Sequence, residues 1–274
     1  MGVVIFNFLL QLLLTVGIMT IFGLAIWVLH RILYLALGRH GRIFHILTGV
    51  IGTPIHELGH ALFCILFGHN INGIKLFEPD NKNGVLGYVN HTYNKNNIYH
   101  QIGNFFIGFG PIMLGVGVIT LLMYLLLPEC YQEQANIIQR FEFLNSSVFS
   151  STTIEQFLGI LSEIKKAFFS PKYIISFAWW IFFIISASIV LHMKLSLSDA
   201  KLSMMGFVFI VLILLITNTI LFSIDATGTT AMTTVFFRIN ILIFPILLFS
   251  ICLLIIMLII AMIIKVLRKL LSQK

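Results

Sequence analysis

The residues of this chain that are best suited to chemistry lie in one short stretch, residues 53–63. His56 and His60 are four positions apart, so on a helix their imidazoles project from one face and can bind the same metal ion. Glu57 follows the first histidine, where a carboxylate can take a proton from a metal-bound water. The alternative is a chance pattern in a packed helix, with both imidazoles hydrogen-bonded to neighbouring backbone. Because unpartnered polar groups are costly in so apolar a segment, the pattern favours a catalytic zinc site.

The composition describes the surroundings of this motif. The chain has 274 residues, of which 59% are hydrophobic and only 10% are charged, and its mean hydropathy is +1.02. A soluble domain needs a more polar surface, whereas a run of about 20 apolar residues can span a bilayer as a helix. The sequence therefore predicts an all-α, multi-pass membrane protein, with one integral membrane domain over residues 1–274. We predict about six transmembrane helices, at residues 3–37, 43–68, 100–127, 173–193, 202–223 and 237–266.

The distribution of charge argues against nucleic acid as a partner. The net charge is +7, but the basic residues stand singly in loops and in the tail 265–274, a pattern typical of contact with anionic lipids. The sequence thus predicts a lipid bilayer and no nucleic acid as partners, with both chain ends in the cytoplasm and the oligomeric state left open. The cysteines are scattered and two of them lie in apolar runs, so we expect neither a disulfide framework nor a thiolate zinc site.

A small β-hairpin is predicted between the second and third transmembrane helices. Residues 73–78 and 85–93 are rich in β-branched and aromatic side chains, and Asn83-Gly84 is a strong hairpin-turn signal. One interpretation is a plain surface hairpin. The other is an open strand edge that holds an extended substrate by adding a strand to the sheet.

A second non-membrane segment, residues 153–169, is predicted to form an amphipathic helix. Thr152 and Glu155 fit a capping box at its start. We expect this helix to lie at the membrane interface, and a lid is the alternative. The apolar residues that share one helical face are Ile154, Phe157, Leu158, Leu161, Ile164 and Phe168.

A catalytic zinc ion usually has a third protein ligand, and the sequence offers several. Asp199 ranks first, because the fourth predicted span delivers it to the same side of the membrane as His60. Its alternative role is to cap the helix that follows. Asp225 comes after the next span and falls at the opposite face, where it could equally be a loop or cap residue. Four histidines are further candidates, each with an ordinary loop or interfacial alternative: His69, His91, His100 and His192.

The third predicted span carries residues that could bind substrate. Asn104 could hydrogen-bond to a substrate backbone or to an oxyanion, although interhelical bonding is the commoner role of such an asparagine. Gly110 and Pro111 belong to a glycine-rich stretch that can pack tightly or break the helix.

These features together resemble the site-2 protease family of intramembrane zinc metalloproteases. The family combines His-Glu-x-x-His in one span, a β-rich membrane-associated segment, a Gly-Pro-containing span and a later aspartate motif. Here these elements look like His56–His60, the segment 69–99, Gly110-Pro111 and Asp199, within a protease-like core at about residues 43–201. The chain reads Asp199-Ala200 where the family pattern has a glycine after the aspartate.

The resemblance implies hydrolysis of peptide bonds in or near transmembrane segments of a membrane-protein substrate. Zn²⁺ would be held by His56, His60 and Asp199, with Glu57 as general base, and the substrate-binding region would include Asn104, Gly110 and Pro111. The composition suggests the membrane of a bacterial cell. Two other functions stay open: a non-catalytic zinc-binding membrane protein, and a transporter. Metal binding alone has no evident need for Glu57, and a transporter would have its polar groups spread along a route rather than concentrated at one helix.

Overall fold

A computed structural model describes residues 2–79, 84–142, 162–163, 166 and 168–271 of the chain, which is mostly helical. The helices, in chain order, are α1 (Gly2–Leu12), α2 (Ile18–Leu37), α3 (Gly41–Leu66), α4 (Ile98–Leu126), α5 (Pro128–Glu142), α6 (Pro171–Ile174), α7 (Phe177–His192), α8 (Leu197–Ile224) and α9 (Ala226–Leu271). A π-helical turn at Leu13–Gly17 joins α1 to α2, and a 3₁₀ turn at Gly38–His40 joins α2 to α3. The strands are β1 (Asn70–Lys75) and β2 (Tyr88–Thr92).

Among the described residues, four helical segments are long and apolar enough to cross a membrane by length and composition: Val4–Leu66, Ile98–Leu126, Leu197–Ile224 and Thr227–Arg268. The first contains both of the first two predicted spans, divided by the turn at Gly38, whose φ of 53° favours glycine. The predicted span 173–193 corresponds to the shorter apolar helix α7. Large apolar side chains lie exposed along these helices, including Ile213, Ile216 and Ile220 of α8.

The predicted β-hairpin is confirmed as a two-stranded antiparallel sheet. Ile71 pairs with His91 and Lys75 with Tyr88, and a register shift lies between Ile71 and Gly73. Gly84 has a φ of 71°, as expected next to a tight turn, while Asn83 lies outside the described residues. Most of the amphipathic helix predicted at 153–169 also lies outside the described residues.

Close contacts between glycines bring α3 and α4 together. A Cβ atom at Gly59 would lie 2.7 Å from the backbone C and O of Gly110, and one at Gly110 would lie 2.5 Å from the O of Gly59. Helix α8 packs as tightly on the other side of α4, where Gly206 touches the backbone N of Phe105. Small residues at these positions allow the helix backbones to approach closely, and such close contacts orient the helices more than apolar packing does alone. Helices α3, α4, α7 and α8 thus form the part of the fold that surrounds the motif.

Buried polar side chains hold the flanking helices α1 and α9 to this unit. Gln11 donates to Oδ1 of Asn218 over 3.2 Å and to Oγ1 of Thr233 over 2.9 Å. Asn218 returns a hydrogen bond to Oε1 of Gln11 over 2.6 Å, and Asn7 donates to Thr229 over 3.2 Å. In an apolar environment, such hydrogen bonds fix the register of the helices, because no water is present to replace a lost partner.

The contact between Gly59 and Gly110 makes a testable prediction. The Cβ of a Gly59→Ala variant would meet backbone atoms that cannot move aside alone, so we expect a loss of about 1–3 kcal/mol in unfolding free energy. Gly117→Ala in α4 is the matched control, because a Cβ there meets nothing within 4 Å and alanine favours a helix. Thermal unfolding in detergent measures both. Equal stability of the two variants would contradict the close packing.

Candidate metal centre

Three donor side chains converge between α3 and the start of α8. The Nε2 atoms of His56 and His60 are 3.2 Å apart, and Nε2 of His60 is 3.4 Å from Oδ1 of Asp199. One ligand atom from each of the three residues lies within 4.8 Å of the others. His60 and Asp199 are buried and His56 is half-buried. The structure therefore brings together the three residues that the sequence ranked as metal ligands, in a group that could hold a metal ion.

A backbone carbonyl fixes the orientation of His56. Its Nδ1 lies 2.6 Å from the carbonyl O of His192. A carbonyl can only accept, so Nδ1 carries the proton and Nε2 presents a lone pair to the cluster. His192 is the last residue of α7, where the final carbonyls of a helix have no intrahelical donor. The end of α7 is thus free to hold the imidazole.

His60 is held in the same way from α4. Its Nδ1 lies 2.8 Å from the carbonyl O of Ile107. In a regular helix that carbonyl would accept the N–H of residue 111, but residue 111 is a proline and has no N–H. Pro111 therefore frees the acceptor that His60 uses. The proton sits on Nδ1 again, and the Nε2 lone pair of His60 faces the cluster.

Asp199 caps a helix and is also placed where it could bind a metal ion. Its Oδ2 accepts from the backbone N–H of Ser196 over 3.0 Å, and its own N–H donates to Oγ of Ser196 over 3.1 Å. This capping box begins α8 and fixes the carboxylate. The second oxygen, Oδ1, remains directed at His60. Helix capping and metal binding are therefore compatible uses of one side chain.

Two of the three distances between donor atoms match those around a tetrahedral ion. With bonds of about 2.0–2.1 Å, two ligands of a tetrahedral zinc ion lie about 3.3–3.4 Å apart, close to the 3.2 and 3.4 Å observed. The converging lone pairs of His56, His60 and Asp199 repel one another unless a proton or a cation lies between them. Three donors, each held by a backbone group, match the usual support of metal ligands.

The cluster opens into a cavity of about 730 Å³. Glu57 lines it beside the two histidines, and residues 84–91 form a wall that includes most of β2. A Cβ at Gly87 would come within 2.9 Å of Cγ of Glu57 and 2.8 Å of Cγ2 of Thr53. The backbone that leads into β2 therefore passes directly over the glutamate, which is only 6% exposed.

Lys194 is a cavity residue that the sequence interpretation used only to predict topology. It lies between α7 and α8, and burial lowers the pKa of its ammonium while the nearby Asp199 carboxylate opposes that shift. No motif marks this lysine, because its place beside the cluster depends on how α7 and α8 pack against α3. It brings a positive charge to the wall of the cavity.

His192 contributes its ring as well as its carbonyl. The ring lies 3.2 Å from Oγ1 of Thr48 and 3.3 Å from Oγ1 of Thr53, and it stacks on His45 with centroids 4.8 Å apart. Gly52 makes room for this contact, since a Cβ there would lie 2.1 Å from the carbonyl O of Ser188. These contacts lock the end of α7 onto α3. His192 thus supports the candidate site without being one of its ligands.

The remaining candidate ligands lie elsewhere. Asp225 is exposed at the far end of the 28-residue helix α8, where it accepts from the N–H of Thr227 over 3.0 Å. His100 accepts from the N–H of Asn94 over 3.2 Å. His69 and His91 belong to a separate cluster, described below.

The residues predicted to bind substrate lie in helix interfaces rather than on the cavity wall. Gly110 packs on Gly59, and Pro111 frees the carbonyl that holds His60. Asn104 is 0% exposed, with a 3.5 Å contact to Gln101 and no partner for its Oδ1. Their predicted contact with substrate stays a prediction, while the structure gives Gly110 a packing role and Pro111 a positioning role.

Comparisons of the chain with protein-family models, with curated proteins and with solved structures find no match. The function has to be inferred from the site itself.

The freed carbonyl of Ile107 makes a prediction about metal affinity. Pro111→Ala restores an N–H that competes for this carbonyl, so His60 loses its orienting partner. We expect zinc affinity to fall about 10–100-fold, as when other supporting partners of metal ligands are removed. Competition with a zinc-sensitive dye measures the affinity. Pro245→Ala, at the buried proline inside α9, is the control and should bind zinc as the wild type does.

Proposed function

We propose that this chain is a membrane-embedded zinc metalloprotease that hydrolyses peptide bonds in or near transmembrane segments of other proteins. One observation carries the proposal: three donor atoms within 4.8 Å of one another, each side chain held by a backbone group, lie next to a buried glutamate in a strand-walled cavity. Metal binding alone would not require a carboxylate such as Glu57 beside the ligands. A transporter would need polar groups spread along a route, whereas these are gathered in the second half of α3 and at the start of α8.

The chain's own residues supply the ligands and the base. His56, His60 and Asp199 would hold zinc and leave a fourth position towards the cavity. A zinc ion held there would lower the pKa of a coordinated water and polarise the scissile carbonyl. Glu57 accepts the proton from the attacking water and later delivers it to the leaving amine. Its position on the cavity wall allows both transfers.

Lys194 would act on the developing negative charge. Attack on an amide carbonyl places charge on its oxygen, and a fixed positive group in a water-poor cavity stabilises that charge strongly. Two lysines line the cavity, Lys194 and Lys201, and only Lys194 is partly buried and close enough to Asp199 to feel its charge. We therefore assign it to the stabilisation of the oxyanion, together with the metal.

The substrate must present an extended backbone. The carbonyls of a transmembrane helix are tied up in helical hydrogen bonds, so the helix has to unwind before attack. Within the described residues, β2 pairs only with β1, which leaves its other edge available. Because β2 forms a wall of the cavity, an added strand would lie beside Glu57 and the metal ligands.

Replacement of the base tests the catalytic role directly. In Glu57→Gln the three ligands are intact, so we expect zinc to be retained. The proton acceptor is gone, so we expect the rate of cleavage to fall about 10²–10⁴-fold, which is the usual contribution of a general base. Zinc is measured by elemental analysis of purified protein. Cleavage is measured by proteomics, which compares the fragments of membrane proteins in cells that carry the wild type with those in cells that carry the variant.

Two further variants serve as controls for that experiment. His56→Ala should lose both zinc and cleavage, because it removes a ligand. Glu133→Gln, on the exposed surface of α5, should change neither. A Glu57→Gln protein that still produces the wild-type fragments would rule out the protease and leave a non-catalytic zinc protein or a transporter.

The strand-edge model of substrate binding predicts a periodic effect. A substrate peptide identified by the proteomic comparison is synthesised with single N-methyl groups at successive positions around the cleavage site. Successive N–H groups of a strand point to opposite sides, so cleavage should be lost at alternate positions and largely kept at those between. Liquid chromatography of the products gives the rates. A uniform loss, or none, would argue against strand addition to β2.

A further inference from the structure

A second group of metal-binding side chains lies where the hairpin meets α3. Cys64, His69 and His91 each place one donor atom within 4.8 Å of the others. Cys64 is in the last turns of α3, His69 directly precedes β1, and His91 is in β2. Cys64 and His69 are buried, and His91 is half-buried. This group shares no residue with the cluster around His56.

Hydrogen bonding leaves His69 ready to bind a cation. Its Nε2 lies 3.0 Å from the carbonyl O of His100, so Nε2 carries the proton and Nδ1 presents a lone pair. Tyr93 stacks on the ring at a centroid distance of 4.8 Å, and Gly103 leaves space for it, since a Cβ there would lie 3.2 Å from Nε2. A histidine ring held through one nitrogen by a carbonyl is typical of a metal ligand.

His91 faces the free nitrogen of His69. Their Nδ1 atoms are 3.0 Å apart. Two imidazole nitrogens at this distance either share one proton in a hydrogen bond or bind a common cation. The thiol of Cys64 beside them has no role in the hydrogen bond but is a strong ligand for the cation.

We propose that Cys64, His69 and His91 bind a second zinc ion, which joins the β-hairpin to α3. The ligands would be Sγ of Cys64 and the two Nδ1 atoms, and binding would release the thiol proton to solvent. One thiolate and two imidazoles form a soft set that suits zinc. The sequence analysis expected no thiolate zinc site, because the cysteines are scattered and two of them lie in apolar runs.

This site would act on the cavity through β2. Cys64 follows His60 by four residues, so His56, His60 and Cys64 succeed one another along one face of α3. Across the cavity, His91 belongs to the strand wall that lines it. A cation bound to both would hold the strand wall at a fixed distance from the residues around Glu57.

Cobalt substitution separates the two sites, because only the second contains sulfur. The full-length protein in detergent is stripped of metal and loaded with Co²⁺. We expect two ions per chain and a thiolate-to-cobalt charge-transfer band in the near ultraviolet. Cys64→Ser should lose the band and one ion while keeping the ion at His56 and His60, which also shows that it is folded. Cys252→Ser, at the exposed cysteine of α9, is the matched control and should keep both ions and the band.

The outcomes distinguish this proposal from the protease proposal. His56→Ala should lose one ion and keep the thiolate band, so failure of the first site leaves the second measurable. His91→Phe gives a second test and should lose the band as Cys64→Ser does. One ion per chain and no thiolate band in the wild type would overturn the proposal and leave a hydrogen bond between His69 and His91.

Discussion

The structure depends on one type of interaction, the donation of an imidazole N–H to a helical carbonyl that has no helical donor. His56 uses the last carbonyl of α7, and His60 uses the carbonyl that Pro111 releases in α4. Both bonds place the ring proton on Nδ1 and direct the Nε2 lone pairs to one point. Because the two acceptors belong to different helices, the packing of α7 and α4 on α3 decides the geometry of the donors.

The packing of α3 on α4 and the orientation of His60 both depend on the contact of Gly59 with Gly110. Gly59 precedes His60, and Gly110 precedes Pro111, so the point of nearest helix approach is also the point where the imidazole meets its acceptor. A larger residue at either glycine would lengthen that hydrogen bond as well as part the helices. On the opposite side of α4, the start of α8 brings Asp199 to the same imidazole. Tight packing here therefore supports the geometry of the donors as well as the stability of the helix pair.

The sequence predicted those parts of the site that depend on local spacing or on chain direction. His56, Glu57 and His60 follow from helical periodicity, and Asp199 followed from counting the spans that separate it from them. Four membrane-length helical segments and the two-stranded hairpin were also predictable among the described residues, because apolar runs and strand-forming residues are local signals. The parts that were missed all require tertiary structure. Lys194 carries no motif, and the place of β2 on the cavity wall emerges only when the hairpin folds back over α3.

The acceptor for His60 is a backbone atom, and this affects which positions can vary. Exchanging Ile107 for another apolar residue of similar size leaves its carbonyl in place, so the bond to His60 is indifferent to the side chain there. The hydrogen bond is instead sensitive to substitution four residues along the helix, at Pro111, which is not itself one of the donors. Homologues of this chain should therefore vary more in their side chain at residue 107 than at residue 111. A list of the residues that contact His60 would suggest the reverse.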